Sequence, residues 1–204
     1  GIADAKAEIL EDARPTDLLV ANAGDARVMS RAARFGGRVL TFGVEHPADV
    51  SATRVESRGV HGIAADVQTP GGRVRLETPL VGKGNLANVL AALTVGLDAG
   101  VPLEAMAARA TTLAPASHRG EVRVLASGIT LLDDAYNANP VAMEGALEVI
   151  AAEAGPGRRV AILGEMLELG PESTALHARC GRAAARAGVA LLVTVGGLSA
   201  RALG

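Results

Sequence analysis

Four short apolar runs, each breaking into a polar or glycine-containing turn, confine this chain to an α/β fold. Residues 18–21 run into Asn22-Ala23-Gly24-Asp25, and a helical segment follows to Phe35. Gly36-Gly37 then precedes a strand over 38–43. Later, 129–132, 159–163 and 191–195 each end in a turn that leads to residues at helical spacing. Runs of four or five residues are too short to be helices, so they are strands. Strands alternating with helices build a parallel sheet. Residues 50–80 break the rhythm: 52–56, 62–68 and 73–77 alternate apolar and polar and are split by turns such as Pro70-Gly71-Gly72. They read as antiparallel strands with one face in water.

Helices occupy the remainder. Residues 1–10 place Ile2, Ala5, Ile9 and Leu10 at helical spacing, and Pro15 ends the segment. Gly82-Lys83-Gly84 opens a helix over 85–99, Gly100 closes it, and Pro102 starts another to about Leu113. The small, turn-prone Ala114-Pro115-Ala116-Ser117 then divides the chain into domains 1–114 and 115–204, the second an open, doubly wound unit. Aromatics are 1% of 204 residues against 49% hydrophobic, so the cores must be Leu, Val, Ile and Ala. A net charge of −2 with no basic run and few rings argues against nucleic acid as a partner. No apolar run nears the ~18 residues of a membrane span, and no signal peptide is visible. The lone Cys180 excludes an internal disulfide and points to a reducing, cytoplasmic setting. Cys180 shares a helical face with Leu176 and Ala184, which favours core packing over reactivity.

The densest polar chemistry follows the run 129–132. Asp133, Asp134, the only tyrosine (Tyr136), Asn137 and Asn139 fall within seven residues, and Pro140 suits the first turn of a helix over 141–154. Turn geometry accounts for Asn137-Ala138-Asn139-Pro140. It does not account for two carboxylates at the end of a strand expected to be buried, where an unpaired charge is costly. Ligands bind at such strand ends in open α/β sheets. Arg119, beside the domain junction, suits phosphate if it faces a cleft, because its fork pairs with phosphate oxygens. Asn85 and Asn88, three apart, share a helix face, although Asn85 could instead cap the helix. Asn22, Asp25, Glu165 and Glu168 lie in loops after strands and are weaker candidates. Lys6 and Glu8 read as solvated helix charges. His177 and Gly181, four apart, read as a mark of close helix packing. There is no zinc-type spacing, no G-x-x-x-x-G-K-[ST] loop and no G-x-G-x-x-G.

Three strings together carry a family resemblance: Asp133-Asp134-Ala135-Tyr136-Asn137-Ala138-Asn139-Pro140, Leu163-Gly164-Glu165-Met166-Leu167-Glu168-Leu169-Gly170, and His177-x-x-x-Gly181. The chain resembles the Mur ligases along essentially its whole length, within them the branch that adds D-alanyl-D-alanine. The resemblance implies the latter part of a central ATPase domain followed by an incomplete Rossmann-like C-terminal domain, with a UDP-binding domain and P-loop upstream. It implies ATP-dependent joining of D-alanyl-D-alanine to UDP-N-acetylmuramoyl tripeptide through an acyl phosphate, in the cytoplasm, with Mg²⁺, by a monomer. By motif, Asn85 and Asn88 would line the nucleotide pocket, Arg119 would reach the ATP phosphates, and Asp134 would bind the ribose. Tyr136, Asn137 and Asn139 would lie near the incoming dipeptide. Lys6 matches a lysine that several relatives carbamylate to hold magnesium. One position departs: the family usually has His where this chain has Gly84. The chain by itself is expected to bind ATP weakly or not at all and to make no ADP. A sibling ligase with another amino acid, or a non-catalytic Rossmann-like module, are the competing expectations.

Overall fold

The computed structural model describes residues 2–153, 157–197 and 199–204. Gly1 of the expected first helix and Ala154 of the helix after Pro140 lie outside the described residues. The fold is mixed α/β. It divides into two compact units: Gly1–Glu56, Ala64–Thr78 and Asn85–Leu113 form the first, and Ser57–Ile63, Pro79–Gly84 and Ala114–Gly204 the second.

In the first unit, helix α1 (Ile2–Ala7) tightens into a 3₁₀ turn, Glu8–Leu10, and Ile9 is exposed rather than packed. Strand β1 (Leu18–Asn22) leads through α2 (Ala26–Ala32) to a parallel β2 (Arg38–Val44). Three more strands follow, β3 (Val50–Ser57), β4 (Ile63–Thr69) and β5 (Gly72–Thr78), in the sheet order β1-β2-β3-β4-β5. Two residues separate β4 from β5, a link that only an antiparallel pair can use.

The junction from β2 to β3 departs from the expected pattern. Parallel strands normally need a crossover of a dozen residues or more. Here five suffice, because only Phe42–Val44 pair with Val50–Ala52. The Asp49 carboxylate closes this return by accepting from the Thr41 N–H at 2.8 Å and the Thr41 hydroxyl at 2.7 Å. The Thr41 hydroxyl bond, then the N–H bond, holds the Asp49 carboxyl below its usual range. Val50, Ala52, Ile63, Ala64, Ala65, Val67 and Leu76 are each at most 2% exposed. Each large aliphatic side chain among them contributes about 1.5–3 kcal/mol by its burial. Helix α3 (Gly82–Asp98) buries Leu86, Val89, Leu90 and Leu93, and α4 (Leu103–Ala110) packs on β5.

Beyond residue 114 the second unit opens with the antiparallel hairpin β6 (Glu121–Val124) and β7 (Thr130–Asp133). Helix α5 (Pro140–Ala152) follows, then β8 (Val160–Gly164), α6 (Ser173–Arg186) and β9 (Leu191–Val195), with β8 and β9 parallel. Met143 and Leu147 of α5, Ala161 of β8, Met166, and Cys180, Ala183 and Ala184 of α6 form its core. Cys180 is fully buried there, as its helical face predicts. The strand ending at Asp133 is not buried, contrary to expectation: β7 pairs with β6 alone and Leu131 is 41% exposed. The pair β8–β9 buries one face on that core. Its other face leaves Val160, Ile162, Leu191, Val193 and Val195 at 40–70% exposure.

Candidate functional site

The hairpin register assembles the polar cluster of the second unit. Glu121 lies opposite Asp133, so the residues just before β6 and just after β7 must face one another. His118 accordingly accepts the Tyr136 N–H on its carbonyl at 3.1 Å. The His118 ring donates from Nδ1 to Asp133 Oδ2 at 2.8 Å, the direction a carboxylate requires. The Arg119 guanidinium lies over the Tyr136 ring, 3.8 Å from its centre. A cation–π contact attracts the cation without requiring its N–H donors. Asp134, half-buried, accepts from the Gly120 backbone.

The paired aspartates differ electrostatically. The His118 hydrogen bond holds the Asp133 carboxyl below its usual range, with help from the Ala135 N–H and the charges of His118 and Arg123. Burial pushes Asp134 up, the Asp133 charge adds to this, and the Gly120 N–H and the Arg119 charge oppose it. Asp133 is therefore a satisfied structural anion. Asp134 is a partly desolvated carboxylate whose ionised form gains from a further hydrogen-bond donor. Asn139 extends the strand-end turn by capping α5, its Oδ1 accepting from the Ala142 N–H at 3.0 Å, with Pro140 in the first turn. Asn137 is exposed and its Oδ1 accepts from Ala138 N at 2.8 Å.

The loop after β8 is built differently. Its anchor is His177, fully buried on α6. Nε2 accepts the Met166 N–H at 2.9 Å and Nδ1 donates to the Ser173 carbonyl at 2.8 Å. Both ring nitrogens are used, and the tautomer follows from the partners. Glu165 ties the loop to the end of β9: its N–H donates to the Val195 carbonyl and its carboxylate accepts from Gly197 N, both at 2.8 Å. Sequence reasoning saw in His177 and Gly181 only close packing. Gly181 does mark it, since a Cβ there would collide with the Leu203 carbonyl. The anchoring role of His177 was missed; a lone polar residue on an otherwise apolar helix face was the available signal.

The first unit holds the other candidates. Lys6 is exposed on α1. Asn85 and Asn88 lie on α3, half-buried and exposed respectively. Because α3 starts at Gly82, whose φ is +82°, Asn85 lies inside the first turn and is not the cap. Asp25 caps α2, accepting from Arg27 N and Val28 N, and Asn22 Oδ1 closes a turn on Gly24 N at 2.9 Å. Both are accounted for by local structure. Among the described residues there is no group of three or more His, Cys, Asp or Glu that could hold a metal ion. No described helix is long and apolar enough to cross a membrane.

Two family models match the chain. The Mur ligase middle domain matches residues 1–96, and the Mur ligase, glutamate ligase domain matches 118–203. The UDP-N-acetylmuramoyl-tripeptide–D-alanyl-D-alanine ligase of Escherichia coli K12 is 35% identical over 198 residues, covering 96% of this chain and 43% of that protein. A crystal structure of MurF from Acinetobacter baumannii aligns with a TM-score of 0.86 at 29% identity, over 99% of this chain and 43% of that one. MurF from Thermotoga maritima, solved in complex with ADP, shares the fold at a TM-score of 0.77 and 21% identity, over 96% of this chain and 48% of that one. The chain thus spans less than half the length of the relatives it matches.

Proposed function

Because the chain belongs to the Mur ligase family, we propose that it forms part of an ATP-dependent ligase joining D-alanyl-D-alanine to UDP-N-acetylmuramoyl tripeptide. Residues 1–114 are then the latter part of the central ATP-binding domain and 115–204 the Rossmann-like ligase domain. The names of the relatives in Escherichia coli and Acinetobacter baumannii support the substrates. The observation that carries the reading is the register-enforced meeting of Arg119 and Asp134 at the base of one hairpin. One forked cation and one partly desolvated carboxylate suit the two ends of a nucleoside phosphate: phosphate oxygens for Arg119, ribose hydroxyls for Asp134.

A phosphoryl group passes from ATP to the tripeptide carboxylate with release of ADP, and the dipeptide amine displaces phosphate from the resulting acyl phosphate and loses a proton to give the amide. The residues of this chain contribute positioning and charge. Arg119 faces the phosphates, and its charge opposes the build-up of negative charge as they pack together. Asp134 accepts from a ribose hydroxyl and fixes the nucleotide's register. Asn85 and Asn88 are the nucleotide contacts of the first unit. Tyr136, Asn137 and Asn139 lie on the dipeptide side, although the Oδ1 atoms of both asparagines are already engaged by backbone N–H groups. Mg²⁺ has no ready-made cage among the described residues, and its one candidate ligand here is Lys6 as a carbamate. A nucleotide-activated substrate suits a cytoplasmic reaction.

ADP release by the whole protein tests the proposal. It should require both UDP-N-acetylmuramoyl tripeptide and D-alanyl-D-alanine and should fall sharply in Arg119→Ala and Asp134→Ala. Equal turnover with a single amino acid in place of the dipeptide would assign the chain to a sibling ligase. Unaltered kinetics in both variants would remove the hairpin base from the site.

A further inference from the structure

The turn that presents Arg119 has a backbone suited to glycine on both sides. Gly120 sits at φ +69° and His118 at φ +57°. A left-handed conformation costs a non-glycine residue about 1–2 kcal/mol. A histidine held there must gain from its side chain what glycine would gain from its freedom. The gain is visible: the ring binds Asp133 while the backbone carbonyl takes the Tyr136 N–H. Asp133 in turn accepts from the Ala135 N–H at 3.3 Å and faces Arg123 at 4.0 Å. It is only 14% exposed, against 53% for His118. One carboxylate thus joins the turn before β6 to the turn after β7, and Arg119 and Asp134 lie one on each turn.

We propose that His118 and Asp133 are positioning residues: their pairing clamps the two turns and sets the placement of the Arg119 guanidinium relative to Asp134. The inference rests on the reading of Arg119 and Asp134 as nucleotide contacts. It divides the aspartate pair by role, Asp133 organising the site and Asp134 meeting the ligand. It also makes His118 necessary although it touches no substrate. Without the clamp, the Arg119 turn retains the Tyr136 N–H bond to its backbone but loses the side-chain tie. A guanidinium displaced from the phosphates loses charge-assisted hydrogen bonds to the nucleotide.

In ¹³C-tyrosine-labelled protein, comparison with Tyr136→Phe assigns the Tyr136 ring resonances, which report the cation above the ring. Arg119→Ala defines the resonances of a ring without its cation. His118→Ala and Asp133→Asn should move the ring resonances toward that reference. In the whole enzyme both should raise the KM for ATP about tenfold, a loss of about 1.4 kcal/mol of nucleotide binding, and change kcat much less. Asp133→Asn keeps the side-chain shape and carries the test if His118→Ala does not fold. Ring resonances that overlay on those of the unaltered chain, or a KM for ATP that stays put in both variants while Arg119→Ala raises it, would overturn the clamp. If the resonances move but Arg119→Ala itself leaves the KM for ATP unchanged, the clamp stands and the nucleotide reading of Arg119 falls.

Discussion

At the end of β7 the chain meets solvent with a histidine, an arginine and a tyrosine on show, joined side chain to side chain. At the end of β8 it is tied from beneath by His177, which has no exposed surface. Both stretches are strand-to-helix connections rich in polar residues, and their sequences look equally suited to a site. The difference lies in where the partners come from. The β7 turn is held by residues fifteen apart across an open hairpin, so its groups stay within reach of a ligand. The β8 loop is held by a helix packed under it, which supplies rigidity and leaves few groups to offer. A buried, fully bonded histidine is a structural anchor. An exposed histidine bonded to a shielded aspartate shapes a surface.

The largest test of this contrast is His177→Leu. It leaves the Met166 N–H buried without an acceptor and disturbs a packed core, and such changes cost about 2–4 kcal/mol. Thermal unfolding should shift down by about 4–16 °C. His118→Ala should shift it far less, because its pair is exposed at one end. Equal shifts would erase the distinction.

Asn139→Ala comes next. Loss of the α5 cap should cost about 1 kcal/mol, read from denaturant midpoints. A much smaller cost would show that Pro140 alone starts the helix and would free Asn139 for a substrate role.

Asp134→Asn sharpens the comparison in the opposite direction. Its folded pKa is raised, chiefly by burial, so the folded state holds this proton more tightly than the unfolded one. Stability is therefore lost as pH rises from the ordinary value of 3.8 through the folded midpoint. The neutral amide should raise the melting temperature slightly at neutral pH while weakening ATP binding, the trade expected of a ligand site. A lower melting temperature would make Asp134 a structural residue like His177.

The smallest effect is the titration itself. Asp133 has a lowered folded pKa, so its contribution is present above 3.8 and lost as pH falls through the folded midpoint. Carboxyl ¹³C titration should give two midpoints displaced in opposite directions, Asp133 below 3.8 and Asp134 above it. A common midpoint would deny the division of roles.

Much of this was legible in the order of residues. The β7–turn–α5 unit could be read because Pro140 and Asn139 announce a helix start locally. The short apolar runs announced strands, and the Cys180 face announced a core. Where reading failed, a non-local partner or a backbone preference intervened. The start of α3 was placed at 85 because Gly82-Lys83-Gly84 reads as a turn, yet the helix begins at Gly82, which accepts a positive φ. The parallel return from β2 to β3 was not foreseen because five residues seem too few; Asp49 and Thr41 close it across eight positions.

The amino-acid sequence by itself determined that this chain alternates strands and helices, that its cores are aliphatic, and that charge gathers after residue 132. These follow from periodicity, composition and turn chemistry, which act over a few residues. Tertiary structure alone decided which charges are satisfied. Asp133 and Asp134 are indistinguishable as letters. They separate only when the hairpin register brings the His118 ring to one of them and the Gly120 backbone to the other. A carboxylate's chemistry is set by its donors and its solvent, and in a folded chain both are supplied by residues distant in sequence.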